Sequence, residues 1–333
     1  MKILFYCPFN FNLNTSKKNF LGGIESLNVT LATELAKKKN IIYLASHTNN
    51  VIKSNNVINI PIKNLVNNRH KFDFDCIISS NDTEIFDLFK FSKKFFWMHN
   101  TLSLEKAFRK KKLISLITNK ITTIFVSKFL KNKTSSLYFF NKKIVIPNFL
   151  TEHFILKKKM KSREPIFVWS VQRDKGLTNV IDLWISKIHK NHKKAKFYIF
   201  GVDKIPFNYS RNKLISSNIY FFGKVRKDLL IKVYSKSMAM ICLGYDETFC
   251  LNAIEANACG LPVISLGKTS LNEIISNNRN GFILNNLNEL EDKINNIINL
   301  NTQKRKLLTR NSYYFSKKFH LKKIIHLWLK LLK

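Results

Sequence analysis

The sequence predicts an α/β protein built as two doubly wound halves facing a central cleft, and three observations lead there. Apolar strand-like runs alternate with amphipathic helical stretches along most of the chain, the pattern of parallel sheets covered by helices on both faces. At 333 residues the chain exceeds what one hydrophobic core usually organises, and 45% hydrophobic content is ample for two. A charged, connector-like stretch around Leu156 to Glu164 divides the alternation into two series.

The first series opens with a strand over Lys2 to Cys7, whose apolar run is too short for a signal peptide and breaks at Pro8. A long polar loop, Pro8 to Phe20, leads to a helix over Ile24 to Lys38 with Leu27, Leu31 and Leu35 on one face. Strands follow at Ile41 to Ala45, Cys76 to Ser79, Lys94 to Met98, Ile121 to Val126 and Lys143 to Ile146, with helices between the later ones. The second series places strands at Ile166 to Ser170, Lys196 to Phe200, Asn218 to Phe222, Ala239 to Leu243 and Val263 to Ser265. The helix before the last of these stops at Gly260, because glycine accepts a left-handed turn, and Pro262 prevents it from resuming.

The five cysteines, Cys7, Cys76, Cys242, Cys250 and Cys259, show no pair at metal or redox spacing and read as reduced core residues. No segment approaches the length of a membrane span. A formal charge of +36 accompanies abundant Lys, Asn, Ile and Phe and scarce Gly and Pro, a usage expected of an AT-rich genome. Whatever its origin, such a field attracts anionic surfaces. Against nucleic acid, no zinc-finger spacing, ribonucleoprotein signature or helix-turn-helix accompanies the charge. Residues 104–119 interleave Leu104, Phe108, Leu113, Ile114, Leu116 and Ile117 with the cationic run Arg109 to Lys112. That pattern fits either an interfacial helix on an anionic membrane or a core helix with a solvated face. Phe319 to Lys333 poses the same choice.

Residues 247 to 265 are the most informative block. Glu247 follows the apolar run Met238 to Leu243, so it belongs to the loop at the carboxyl end of a strand, where open α/β sheets bind ligands. Glu255 lies eight positions on, inside a helix. Were most of the segment helical, the two carboxylates would be about 12 Å apart along the axis, with the free amides of Phe249, Cys250 and Leu251 between them. This suits a nucleotide sugar: one acid for sugar hydroxyls, the other for ribose, and the helix N-terminus for the diphosphate. By spacing alone, the structural reading is favoured: Glu255 a helix-face acid and Glu247 an ordinary N-terminal acid stabilised by the dipole.

The whole stretch, Glu-x-Phe-x-Leu-x-x-x-Glu-Ala-x-Ala-x-Gly-x-Pro-Val-Ile, resembles the donor-site signature of retaining glycosyltransferases of family 4. Cys250 stands where that family commonly has glycine, and still offers its backbone amide. The resemblance implies a GT-B fold: an N-terminal acceptor-side Rossmann-like domain over 1–155, a nucleotide-sugar-binding Rossmann-like domain over 156–315, and a helix over 316–333 returning to the first. Four further motifs resemble the family's. Gly22 and Gly23 precede the first helix, where backbone approaches the donor's phosphate or sugar. His99, after Trp97-Met98, resembles the first-domain histidine that reaches the transferred sugar. Arg173 and Lys175, in Ser-Val-Gln-Arg-Asp-Lys-Gly-Leu, resemble the basic pair that neutralises the departing diphosphate, the arginine lying closer to the lysine than is usual. Gly223 and Val225 resemble the strand-end turn beside the nucleobase. Asp73-Phe74-Asp75 has the Asp-x-Asp form that holds metal in another transferase fold, but here it leads into a strand of the first half, and both acids are read as strand-entry residues.

The resemblance therefore implies retaining hexosyl transfer from a nucleoside-diphosphate sugar, bound as substrate with no cofactor and no metal. The acceptor it implies is a glycan or lipid-linked precursor in cell-surface polysaccharide or glycolipid synthesis. Acceptor attack is expected on the face the diphosphate leaves, through an oxocarbenium-like state, with Glu247 positioning the sugar and Glu255 holding ribose. A cytoplasmic protein peripheral to the inner membrane face is expected. The alternatives are a non-catalytic sugar or polyanion binder and a nucleotide-sugar hydrolase on the same fold.

Overall fold

A computed structural model describes residues 1–13, 21–89, 92–102, 115–116, 118–135, 142–154, 163–171, 175–203 and 208–333. The chain divides into two compact units, Met1–Thr151 with Leu321–Lys333, and Glu152–His320. The stretch 103–114 that carries most of the amphipathic run lies outside the described residues, as do 155–162 of the connector and 14–20 of the first loop.

The first unit holds an eight-stranded sheet: β1 (Lys2–Tyr6), β2 (Ile41–Ser46), β3 (Ile52–Ser54), β4 (Val57–Pro61), β5 (Cys76–Ser80), β6 (Lys93–Met98), β7 (Ile121–Phe125) and β8 (Lys142–Val145), in the order β3-β4-β2-β1-β5-β6-β7-β8. Only the β3–β4 pair is antiparallel. Central strands such as Cys76–Ser80 are buried at every position, as expected of a parallel sheet covered on both faces. Helix α1 (Gly23–Ala36) lays Leu27, Leu31 and Leu35 on this core, the face expected from the sequence.

The second unit holds six parallel strands: β9 (Ile166–Trp169), β10 (Lys196–Phe200), β11 (Ile219–Gly223), β12 (Ala239–Ile241), β13 (Val263–Ser265) and β14 (Gly281–Ile283), ordered β11-β10-β9-β12-β13-β14. Its helices include α2 (Lys227–Tyr234), α3 (Leu251–Ala258) and α4 (Thr302–Ser316). Trp184 anchors the core, stacked on Phe197 at 5.0 Å and edge-on to Phe167. Winding runs outward from β9 in both directions, so chain order reverses between β9 and β12, which pair through Phe167↔Ala239 and Val168↔Met240. In open α/β sheets a reversal of this kind is where ligands bind, beyond the carboxyl ends of the strands.

The last helix, α5 (Leu321–Leu332), belongs to the first unit. Leu321, Ile324, Ile325, Trp328 and Leu332 are buried, which fits the core-packing reading of this stretch. Trp328 meets Trp97 of β6 edge-on at 4.8 Å.

Candidate active site

The reversal point of the second sheet brings two sequence-predicted residues together. Lys175 leaves β9 and Glu247 leaves β12, and their side chains pair at 2.7 Å. Gly176, in a left-handed conformation at φ 92, turns the chain after Lys175, and the Tyr245 ring covers the space a side chain there would need. Glu247 is held from the other side, its carbonyl accepting hydrogen bonds from the Ser270 hydroxyl (2.9 Å) and amide (3.4 Å). Only 8% of Glu247 is exposed, and Lys175 meets its charge directly.

Helix α3 begins at Leu251 with Cys250 as its N-cap, and Cys250 makes no side-chain cap. Among the described residues, the amides of Phe249, Cys250 and Leu251 have no hydrogen-bond partner, so they form a donor-rich end with partial positive charge. Because residues 247–250 are not helical, the helical rise assumed from the sequence covers only the second half of the Glu247–Glu255 interval. Glu255 lies mid-helix and is also 8% exposed; burial pushes its carboxyl up to about 7, partly opposed by the Lys227 charge. The helix ends as expected, Gly260 adopting φ 69.

Gly223 closes β11 at φ 60, and its carbonyl accepts the Gly201 amide at 2.7 Å; Val225 is half-buried two residues on. In the first unit, Gly22 is the N-cap of α1 and Gly23 its first residue, and the Glu25 carboxylate folds back over Gly22. His99 follows β6, its amide donating to Asn81 Oδ1 at 2.8 Å and its ring 4.6 Å from that of Trp97. It is 4% exposed, and burial lowers its imidazole to about 3, so it is uncharged near neutrality. Arg173 lies outside the described residues. Asp75 accepts the Lys2 amide at 2.7 Å at the start of β5, the structural role expected of it.

Sequence reasoning missed three features. Arg163, read as part of a charged connector, donates to the carbonyls of Tyr234, Ser237, Cys259 and Gly260, tying the ends of α2 and α3 together. Asn257, buried in α3, donates to Leu261 and Asn280 carbonyls and accepts from Asn280, fixing the helix against the turn before β14. All five cysteines are free and buried, as read, but folding places Cys242 and Cys250 Sγ atoms 3.7 Å apart. Only the loop 243–249 between the end of β12 and the start of α3 intervenes, and an eight-residue spacing is no metal or redox signature, so the sequence does not announce that pair.

Residues 148–314 match the family model described as glycosyl transferases group 1. An uncharacterized glycosyltransferase of Methanocaldococcus jannaschii is 32% identical over 213 residues, which are 62% of this chain and 58% of that protein. Among solved structures, sucrose-phosphate synthase of Thermosynechococcus elongatus superposes with a TM-score of 0.76 at 16% identity, covering 99% of this chain and 98% of that one. Anabaena HepE, in complex with UDP-glucose, gives 0.71 at 15% identity, covering 100% and 99%. These likenesses establish the GT-B fold. The family match covers half of the chain and contains Lys175, Glu247 and Glu255, and on that evidence the protein belongs to the glycosyl transferases group 1 family.

Proposed function

We propose that the protein is a retaining glycosyltransferase that moves a sugar from a nucleoside-diphosphate sugar to a glycan or lipid-linked acceptor, without a metal requirement. One observation carries the proposal: the Lys175–Glu247 pair sits where the second sheet reverses, on the loop that leads into α3 and its unpaired amides, with Glu255 buried on that helix. The complex of HepE with UDP-glucose supports a donor of this class.

On this reading the diphosphate rests on the amides of Phe249, Cys250 and Leu251, where backbone donors and the helix dipole favour an anion. Lys175, joined by Arg173, stabilises the charge that grows on the leaving group. Glu247 accepts hydrogen bonds from sugar hydroxyls, and its ion pair with Lys175 holds both side chains in place before the donor arrives. Since Glu247 is committed to this contact, no carboxylate is assigned as a nucleophile; the acceptor attacks the face the diphosphate leaves, and the departing phosphate oxygen takes the acceptor's proton. Glu255 holds ribose hydroxyls, and Gly223 and Val225 lie beside the base. Gly22, Gly23 and His99 enter on the resemblance of their motifs. An imidazole kept uncharged by burial orients the sugar rather than donating a proton. We also propose a cytoplasmic protein whose +36 charge draws it to the anionic inner face of a membrane. No helix among the described residues is long and apolar enough to cross one.

Incubation with radiolabelled UDP-, GDP- and ADP-sugars, with and without lipid-linked acceptors, tests the proposal. It predicts that one donor is consumed and its label appears in acceptor with the anomeric configuration kept. Absence of donor binding contradicts it, and cleavage without transfer identifies a hydrolase instead.

A further inference from the structure

The Cys242–Cys250 pair has no task in the transfer of a sugar. Its two sulfurs lie at the end of β12 and at the start of α3, both buried. The Glu247 carboxylate joins them in a group whose ligand atoms all lie within 4.8 Å of one another. The sulfur separation of 3.7 Å is a contact between two reduced thiols and is close to the spacing of two ligands on one ion. A disulfide needs about 2.0 Å, whereas two sulfurs each about 2.3 Å from one tetrahedral ion stand about 3.8 Å apart.

We propose that Cys242, Cys250 and Glu247 bind one thiophilic divalent cation of the zinc class, as an accessory site beside the Lys175–Glu247 pair and not as a requirement of catalysis. The donor set is soft enough to select such an ion over magnesium or calcium, which take oxygen ligands. Charge is also matched. Two thiolates and a carboxylate exceed a divalent ion by one negative charge, and the Lys175 ammonium, 2.7 Å from Glu247, compensates it. Three protein ligands leave the fourth tetrahedral position to water. The chemistry balances without a redox partner: two S–H bonds break, two sulfur–metal bonds form, and both protons pass to the solvent. Because each thiol gives up a proton on binding, affinity for the ion strengthens as pH rises.

The test needs no sugar and stands apart from the transferase reading. Metal-free full-length protein is titrated with Cd2+ while the ultraviolet thiolate-to-metal charge-transfer band is recorded, and Zn2+ affinity is obtained by competition with a chromophoric chelator. Saturation at one ion per chain, with release of about two protons, is expected. Cys242→Ala and Cys242→Ser should each remove the band and weaken Zn2+ binding beyond the roughly 10–100-fold typical of losing an outer partner. Glu247→Gln should weaken binding while keeping the band, and Cys76→Ala should change neither. Circular dichroism identifies which of the two Cys242 variants is folded, and the folded one is used for the comparison. A folded wild-type protein without the band, or unchanged Zn2+ affinity in a folded Cys242 variant, overturns the proposal.

Discussion

Replacing Glu255 by glutamine should stabilise the ligand-free protein while weakening its grip on nucleotide, two opposite effects with one cause. Glu255 is 8% exposed, and burial raises its carboxyl from the ordinary 4.5 to about 7. Between those limits the folded protein holds a proton that the unfolded chain has released, so stability falls as pH rises from about 4.5 to about 7. Above that window the buried carboxylate costs on the order of 3 kcal/mol relative to acid conditions. Glutamine has nearly the same shape and no proton to lose. Urea unfolding of wild type and Glu255→Gln at pH 5 and pH 8 should therefore diverge: about equal at pH 5, with the variant more stable by up to about 3 kcal/mol at pH 8. If Glu255 also holds ribose, calorimetric titration should show weaker nucleotide binding by the variant at pH 8. A variant less stable than wild type at pH 8 would refute the argument, since it would show the carboxylate to be stabilising where burial says it is costly.

Arg163→Met removes one cation from four backbone carbonyls, and leaving these groups unsatisfied should cost about 3 kcal/mol or more in denaturant unfolding. A loss under about 1 kcal/mol would show that water replaces the guanidinium. Trp328→Ala empties the space against Trp97 in the first unit and should cost about 3–5 kcal/mol, read as a lower denaturation midpoint. A near-neutral result would mean that α5 does not contribute to that core.

The chain's periodicities made most strands legible within a residue or two, because parallel strands buried on both faces appear as uninterrupted apolar runs. Three of the described strands escaped: β3 and β14, each three residues long at a sheet edge, and β4, which lies inside the sheet between β3 and β2. β3 is three residues long and joins β4 through Asn55 and Asn56, both at positive φ, a turn that asparagine permits without glycine. β14 begins at Gly281, where an added Cβ would lie 2.3 Å from the Val263 carbonyl oxygen; the neighbouring strand dictates that glycine, and nothing local reveals it. In the candidate site, Glu247 and Glu255 could be placed on a strand-end loop and a helix from the chain alone, since Gly260 and Pro262 mark where the helix stops. The Lys175–Glu247 contact spans 72 positions and depends on β9 and β12 being neighbours, which strand order decides. Arg163 was hidden for the same reason: one cation in a lysine-rich chain carries no local sign of the four distant carbonyls it serves.

The central claim is that Glu255 and Glu247 serve opposite ends of one activated sugar, and a single comparison separates their roles. Nucleotide affinity and transfer rate are measured for Glu255→Ala and Glu247→Ala with the donor that wild type uses. The account predicts weakened nucleotide binding in the first, and a fall in turnover with nucleotide affinity nearly kept in the second. Equal and negligible effects from both substitutions would contradict it.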